Sequence, residues 1–413
     1  FVVAWQKKWQ GGVLISSDKG ATWIDAKRSL YHDIQSNPTR EWNAGWARPN
    51  ALSKDPFNSQ ILYVTDSWGV WRSDDGGQSW YEKIKGAPNA SGSDMVLAAD
   101  GRLYVATMDE GVLVSADGGK TYQSVLPNKE FPLGGDAWRI VVSNQNPEKI
   151  WITFFPWHKP LNRVYRRDEN DHFDEINEGL PDKSPRQNTM WGTGYARALA
   201  IDPDNENRLY LGIDGDDGGG LFISDNSGAT WKRAEKQPGS LRIYNGLAID
   251  PQKPSNIFWG ACGKDGGVYY SPDSGKTWNY SLSEVGCVFD LKVGPDGTVY
   301  AAGVLRNIPV VYVSYDHGYS WKMLKQFNTG DAAEAITINP NNPKQIFIGG
   351  VFWNGKSGGR VYALVDDGKN WKDITEGLPN SSGPAAMAVD NKNDMLYVLL
   401  YAGSVYKRSL KSF

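Results

Sequence analysis

The sequence predicts an all-β propeller of four-stranded antiparallel blades, and three observations lead there. An octapeptide pattern, Ser-x-Asp-x-Gly-x-Thr-Trp, recurs along the 413 residues. Its copies are spaced as one blade apiece would require. The composition, with 46 Gly, 18 Trp and 20 Tyr, is that of a turn-rich β protein, and no segment sustains a helical period.

Taken in order, the pattern reads SSDKGATW at Ser16–Trp23, SDDGGQSW at Ser73–Trp80 and SADGGKTY at Ser115–Tyr122. It returns as SDNSGATW at Ser224–Trp231, SPDSGKTW at Ser271–Trp278 and SYDHGYSW at Ser314–Trp321. LVDDGKNW (Leu364–Trp371) is a weaker copy and RRDENDHF (Arg166–Phe173) a decayed one. The closing aromatics stand 42 to 58 residues apart, at 23, 80, 122, 173, 231, 278, 321 and 371. The third residue of each turn (Asp18, Asp75, Asp117, Asn226, Asp273, Asp316 or Asp366) can accept backbone N–H bonds, and the Gly supplies a positive φ. The Trp can wedge between neighbouring blades. These residues are read as structural.

Each repeat has the same strand grammar. Residues 246–281 give LAID, NIFWGAC and GGVYYS, then the turn, then TWNYS. Complete blades are predicted at 46–83, 92–125, 137–176, 195–234, 243–281, 287–324 and 335–374. FVVAWQ, GGVLIS and ATWIDA remain at the N-terminus, and AAMAVD, MLYVLL and SVYKRS at the C-terminus. The chain is therefore read as one propeller over 1–413, closed by N-terminal strands (about 1–27) and C-terminal strands (about 384–412) in a composite blade. That makes eight blades, with seven to nine admissible. Six terminal strands compete for four places, so spare strand edge is left to pair with another molecule.

The 44 basic and 47 acidic side chains give a net charge of -3, which argues against nucleic acid as a partner. No apolar run approaches the roughly 18 residues of a membrane helix. The opening FVVAWQKKWQ carries neither Met nor a signal peptide, as expected of a processed or trimmed chain. Cys262 and Cys287 fall in neighbouring repeats, and a bridge and two free thiols are both admissible. The four His show no metal-ligand spacing, and no cofactor is expected. DGDDGGG, with Asp214, Asp216 and Asp217, hints at calcium but lacks the alternating ligand series.

In a propeller the first strand of each blade lines the central channel, and function is expected on the face opposite the octapeptide turns. Asp66 and Asp214, each following a second strand, are the acid–base candidates. Glycoside cleavage needs two carboxyl groups about 5 Å or about 6.5–9.5 Å apart. Trp68, Trp157, Trp191 and Trp353 lie in or beside loops on that face, and with Arg197 they are the candidate sugar contacts. The segments leading into the blades add Trp138, Arg139, Tyr195, Tyr244 and Glu334.

The octapeptide resembles the Asp box, or BNR repeat, of sialidases and related β-propellers. The order of elements in Phe1–Trp80 further resembles the xyloglucan-hydrolysing twin-propeller glycoside hydrolases. The shared features are GGVLISSDKGATW, Gly45-Trp46 and Asp55-Pro56-Phe57-Asn58-Ser59. Thr65-Asp66-Ser67-Trp68-Gly69-Val70-Trp71-Arg72 matches a second motif of that family. The resemblance implies an extracellular, secreted protein directed at polysaccharide or glycan. It also implies a catalytic Asp a few residues beyond Gly45-Trp46, where this chain has Asn50 in ARPNAL. Asn cannot act as a general acid or base, so hydrolysis and glycan binding both stay open. The alternative is a non-catalytic structural propeller that self-assembles through its terminal strand edges into a homo-oligomer or polymer.

Overall fold

The computed structural model describes residues 1–7, 10–28, 49–66, 69–83, 91–108, 111–125, 135–156, 163–170, 172–181, 194–215, 218–328, 330, 332–351, 358–365, 368–379, 383–401 and 405–412. Within these the octapeptide folds as one recurring turn. At Asp273 the Ser271 hydroxyl donates to Oδ1 (2.9 Å), and the Thr277 amide (2.8 Å) and hydroxyl (2.6 Å) donate to Oδ1 and Oδ2. The Gly275 amide returns to Ser271 Oγ at 2.8 Å, and Gly275 sits at φ 88° directly after Ser274 at φ 62°. Asp18, Asp75, Asn226 and Asp316 repeat the Ser-to-side-chain bond and the amide bond from four residues on, and Asp117 repeats the Ser bond. Asp366 lies outside the described residues.

Burial pushes the Asp316 carboxyl up, but the bonds from Ser320 and Ser314 outweigh it and hold it below the usual carboxylate range. Its stabilising contribution is therefore complete above the ordinary value and is lost as pH falls through the folded-state value. Asp316→Ala is expected to cost about 1–2 kcal/mol in urea denaturation at neutral pH, and less in acid. An unchanged midpoint at neutral pH would deny the turn carboxylate a structural role.

The closing Trp of each turn reaches back to the preceding sheet, as the wedge reading expects. The Trp231 indole N–H donates to Ile176 O (2.8 Å), that of Trp278 to Lys236 O (3.3 Å) and that of Trp321 to Ser281 Oγ (2.6 Å). Trp371 stands edge-on to Phe327 at 5.5 Å.

The strands divide into two compact units, residues 1–89 with 119–133, and residues 90–118 with 134–413. In the first, Val2–Lys7, Gln10–Ile15 and Ile24–Asp25 form one antiparallel sheet. Ala51–Lys54, Leu62–Thr65, Val70–Ser73 and Ser79–Glu82 form another, with Lys27–Arg28 added in parallel at its edge. Val13, Leu62, Val64, Trp71 and Trp80 are its buried core.

The second unit holds, among the described residues, seven antiparallel sheets, at 91–115, 135–175, 196–233, 243–282, 287–326, 332–373 and 384–409. They are called sheets 1 to 7 in that order. The first strand of each touches the first strand of the next, and Pro384–Asp390 of sheet 7 touches Ser91–Leu97 of sheet 1. The contact closes with Ser91 Oγ donating to Tyr401 O at 2.5 Å.

This corrects the expectation of one eight-bladed ring over 1–413 closed by both chain ends. The two sets of terminal strands lie in separate sheets, because Val2–Lys7 finds its partner in Gln10–Ile15 while sheet 7 packs on sheet 1. Cys262 and Cys287 form a disulfide (Cα–Cα 3.9 Å) between the second strand of sheet 4 and the first of sheet 5.

Candidate functional site

The first strands of sheets 2 to 7 share an irregularity. Register shifts fall across Trp138, Arg197, Tyr244–Gly246, Phe289, Glu334 and Ala385. A β-bulge re-aims the side chain of its extra residue. Here Trp138, Tyr244, Phe289, Glu334 and Ala385 all reach one cavity of about 440 Å³, completed by Arg139 and Tyr401. The bulges lie toward the beginnings of their strands. The far ends of those strands run into the short turns that bond the octapeptide turns, as in Ser227 N to Asn207 O and Ser274 N to Ser255 O. The cavity thus opens at the end of the sheets opposite the octapeptide turns.

Its wall is aromatic and its polar groups are few. The rings of Tyr244 and Phe289 meet at 5.1 Å. The Trp138 ring carries the Arg139 and Arg197 guanidinium groups, each 5.3 Å from its centroid. Arg139 is held by Ser93 O (2.8 Å) and Arg197 O (3.1 Å). Burial and the neighbouring Glu334 carboxylate push the Tyr401 phenol well above its usual range, so it stays protonated at any ordinary pH. The disulfide packs with Phe289, Tyr244 and Tyr401 in one apolar cluster that supports this wall.

Three carboxylates beside the first strands serve as clasps between sheets. Asp94 Oδ2 accepts Ile140 N–H (3.1 Å), Asp214 Oδ1 accepts Ile243 N–H (3.0 Å) and Asp290 Oδ2 accepts Ile336 N–H (2.9 Å). Asp214 is wholly buried between Arg197 Nε (3.2 Å) and Arg242 Nε (3.1 Å). Burial pushes its carboxyl up, and the two guanidinium groups oppose that shift. Asp290 is also raised by burial and is held by Lys292 Nζ (3.0 Å) and Asn245 Nδ2 (2.9 Å).

Of the acid–base candidates, Asp214 therefore spends both oxygens on arginines and a backbone amide. Facing two cations, it is placed as an ion-pair partner and not as a calcium ligand. Asp66 lies in the first unit, where Oδ1 accepts Gly69 N–H at 2.8 Å across a turn. Arg197 is wholly buried, its guanidinium stacked against Trp138, Tyr195 (5.6 Å) and Tyr244 (5.1 Å). Asn50 is exposed, and its amide donates to Thr65 O. Trp68, Trp157, Trp191, Trp353, Asp216, Asp217 and Gly45-Trp46 lie outside the described residues. Among the described residues, no group of three or more His, Cys, Asp or Glu could hold a metal ion, and no helix is long and apolar enough to cross a membrane.

Trp138, Arg139, Tyr244 and Glu334 line the cavity from segments the sequence singles out as leading into blades. Phe289, Ala385 and Tyr401 escape that reading. Their signal is the shared bulge position, which becomes visible only once the strands are paired.

No family model matches the chain. A xyloglucanase of Acetivibrio thermocellus, Xgh74A, is 26% identical over 215 residues, which is 49% of this chain and 22% of that protein. The chain thus corresponds to less than a quarter of the curated relative it matches. Among solved structures, an ancestral GH74 enzyme superposes with a TM-score of 0.66 at 13% identity, over 98% of this chain and 62% of its own. YCF48 bound to D1 peptide superposes with a TM-score of 0.54 at 13% identity, over 78% of this chain and 94% of its own. At these identities the likeness is one of fold, the β-propeller.

Proposed function

We propose that this propeller is an extracellular glycan-binding protein of glycoside-hydrolase-like ancestry, and that a sugar ring enters the cavity of the second unit. The observation that carries this reading is the convergence of Trp138, Tyr244 and Phe289 with Glu334, Arg139 and Tyr401 on one cavity. Aromatic faces stack on the apolar faces of sugar rings, and a few fixed polar groups select hydroxyls. The sequence likeness to a xyloglucanase supports the ligand class. The disulfide supports an oxidising compartment. Binding is favoured over cleavage because Glu334 is the one carboxylate lining the cavity among the described residues, whereas glycoside cleavage needs a pair. Trp157, Trp191 and Trp353 adjoin in sequence the strand ends on the cavity's side and are assigned as further sugar contacts, with Trp68 a separate candidate in the first unit.

Calorimetric titration with xyloglucan oligosaccharides tests the proposal. Glu334→Gln and Trp138→Phe are each expected to weaken binding about tenfold with little change in melting temperature. No release of reducing ends is expected on prolonged incubation with xyloglucan. Binding that is indifferent to both substitutions would remove the cavity from the reading, and steady release of reducing ends would restore the hydrolase.

A further inference from the structure

Sheet 7 ends after three strands, Pro384–Asp390, Met395–Leu400 and Val405–Ser409, whereas sheets 2 to 6 each carry a fourth. A second cavity, of about 310 Å³, opens between sheets 6 and 7. Its lining repeats a site that is filled elsewhere in the molecule. Between sheets 2 and 3, Trp231 packs into a cluster that includes Val164, Ile176, Leu180, Leu209 and Phe222. The corresponding residues between sheets 6 and 7 are Val361, Ile374, Leu378, Leu396 and Tyr406, and they line the cavity.

The correspondence is written in sequence and in hydrogen bonds. Arg-Val-Tyr recurs at 163 and 360, Ile-x-Glu-Gly-Leu-Pro at 176 and 374, and Leu-Tyr at 209 and 396. Ile176 N bonds Val164 O and Ile374 N bonds Val361 O, both at 2.8 Å. Leu180 N bonds Asn177 O and Leu378 N bonds Thr375 O, both at 3.0 Å.

What differs is the occupant. A Cβ on Gly179 (φ 86°) would collide with the Trp231 carbonyl, whereas one on Gly377 (φ 92°) would meet nothing within 4 Å. Leu180 and Phe222 are buried, whereas Leu378 and Tyr406 are only partly buried. At the filled site the Trp231 amide donates to Glu178 O (2.8 Å) and its indole N–H to Ile176 O. At the open site Arg408 Nη1 donates to Ile374 O (3.0 Å) in place of the indole.

We propose that the cavity between sheets 6 and 7 is a docking socket for a partner polypeptide that supplies an extended strand led by a tryptophan. The strand completes sheet 7 by pairing with Tyr406 and Lys407, as Lys232–Arg233 pairs with Phe222 and Ile223 in sheet 3. Its indole takes the place that Trp231 takes between sheets 2 and 3, beside the Arg408 guanidinium, a cation–π partner.

The probe is a fluorescein-labelled peptide copied from residues 224–235, added to the intact protein and followed by anisotropy. Saturable binding is expected, weakened at least about tenfold when alanine replaces the peptide's tryptophan and when the protein carries Leu378→Glu. The alanine peptide tests the ligand side, so the result does not depend on how well the variant folds. Equal binding of the two peptides, or none at millimolar peptide, overturns the proposal. So does a concentration-dependent dimer in light scattering that Leu378→Glu abolishes, since that would give the socket to a second copy.

Discussion

Replacing Asp214 by alanine is expected to cost about 3–5 kcal/mol of folding stability, the largest loss for any single carboxylate in the second unit. The carboxylate is wholly buried, and so is the Arg197 guanidinium it neutralises. Removing it leaves a cation enclosed by the rings of Trp138, Tyr195 and Tyr244, together with an Ile243 amide that has lost its acceptor. Aromatic faces attract a cation but do not neutralise it. Asp214→Asn keeps an acceptor for Ile243 and should fall between the two. The double replacement Asp214→Ala with Arg197→Met should recover much of the loss, because the unpaired charge disappears with its partner. Urea denaturation of the four proteins decides the matter. A cost below about 1 kcal/mol for Asp214→Ala would mean that Arg242 or solvent reorganises around the site. It would also reopen Asp214 as a residue with a free oxygen for chemistry.

The same residue shows where the sequence is legible and where it is not. Asp214 stands after a second strand in a Gly-rich loop, a context that reads equally as catalytic, calcium-binding or solvated. Its use as a clasp depends on Arg197 and Arg242, which arrive from strands of two different sheets, and sequence spacing carries no sign of that meeting. The octapeptide turns are the opposite case. Ser271, Asp273, Gly275 and Thr277 bond one another within seven residues, so the local sequence holds every partner the turn needs. The strands follow from the same local logic, and all seven predicted blades correspond to observed sheets. Closure does not follow, because the choice of Pro384–Asp390 for Ser91–Leu97, nearly 300 residues away, is made by packing between whole sheets.

Trp231→Ala is the second large effect expected, about 3–5 kcal/mol, and it bears on the empty socket as well. Trp231 is only 3% exposed, and its ring fills the space that Ile176, Leu180, Leu209 and Phe222 enclose. Truncation forfeits the buried ring and the indole bond to Ile176 O, while the backbone bond from residue 231 to Glu178 O survives. Trp23, at the same place in the first repeat, is 42% exposed, and Trp23→Ala should fall within about 0.5 kcal/mol of the wild type. The contrast isolates the socket from the octapeptide turn, which both tryptophans follow. Free indole should then raise the melting temperature of Trp231→Ala more than that of the wild type, since a cavity shaped by an aromatic ring rebinds one. A smaller rise is expected in the wild type itself, where the cavity between sheets 6 and 7 already stands open to an indole. If indole leaves both proteins unchanged, the two sites have collapsed onto their own side chains. The likeness between them would then be one of sequence and backbone without a shared capacity to hold an aromatic ring.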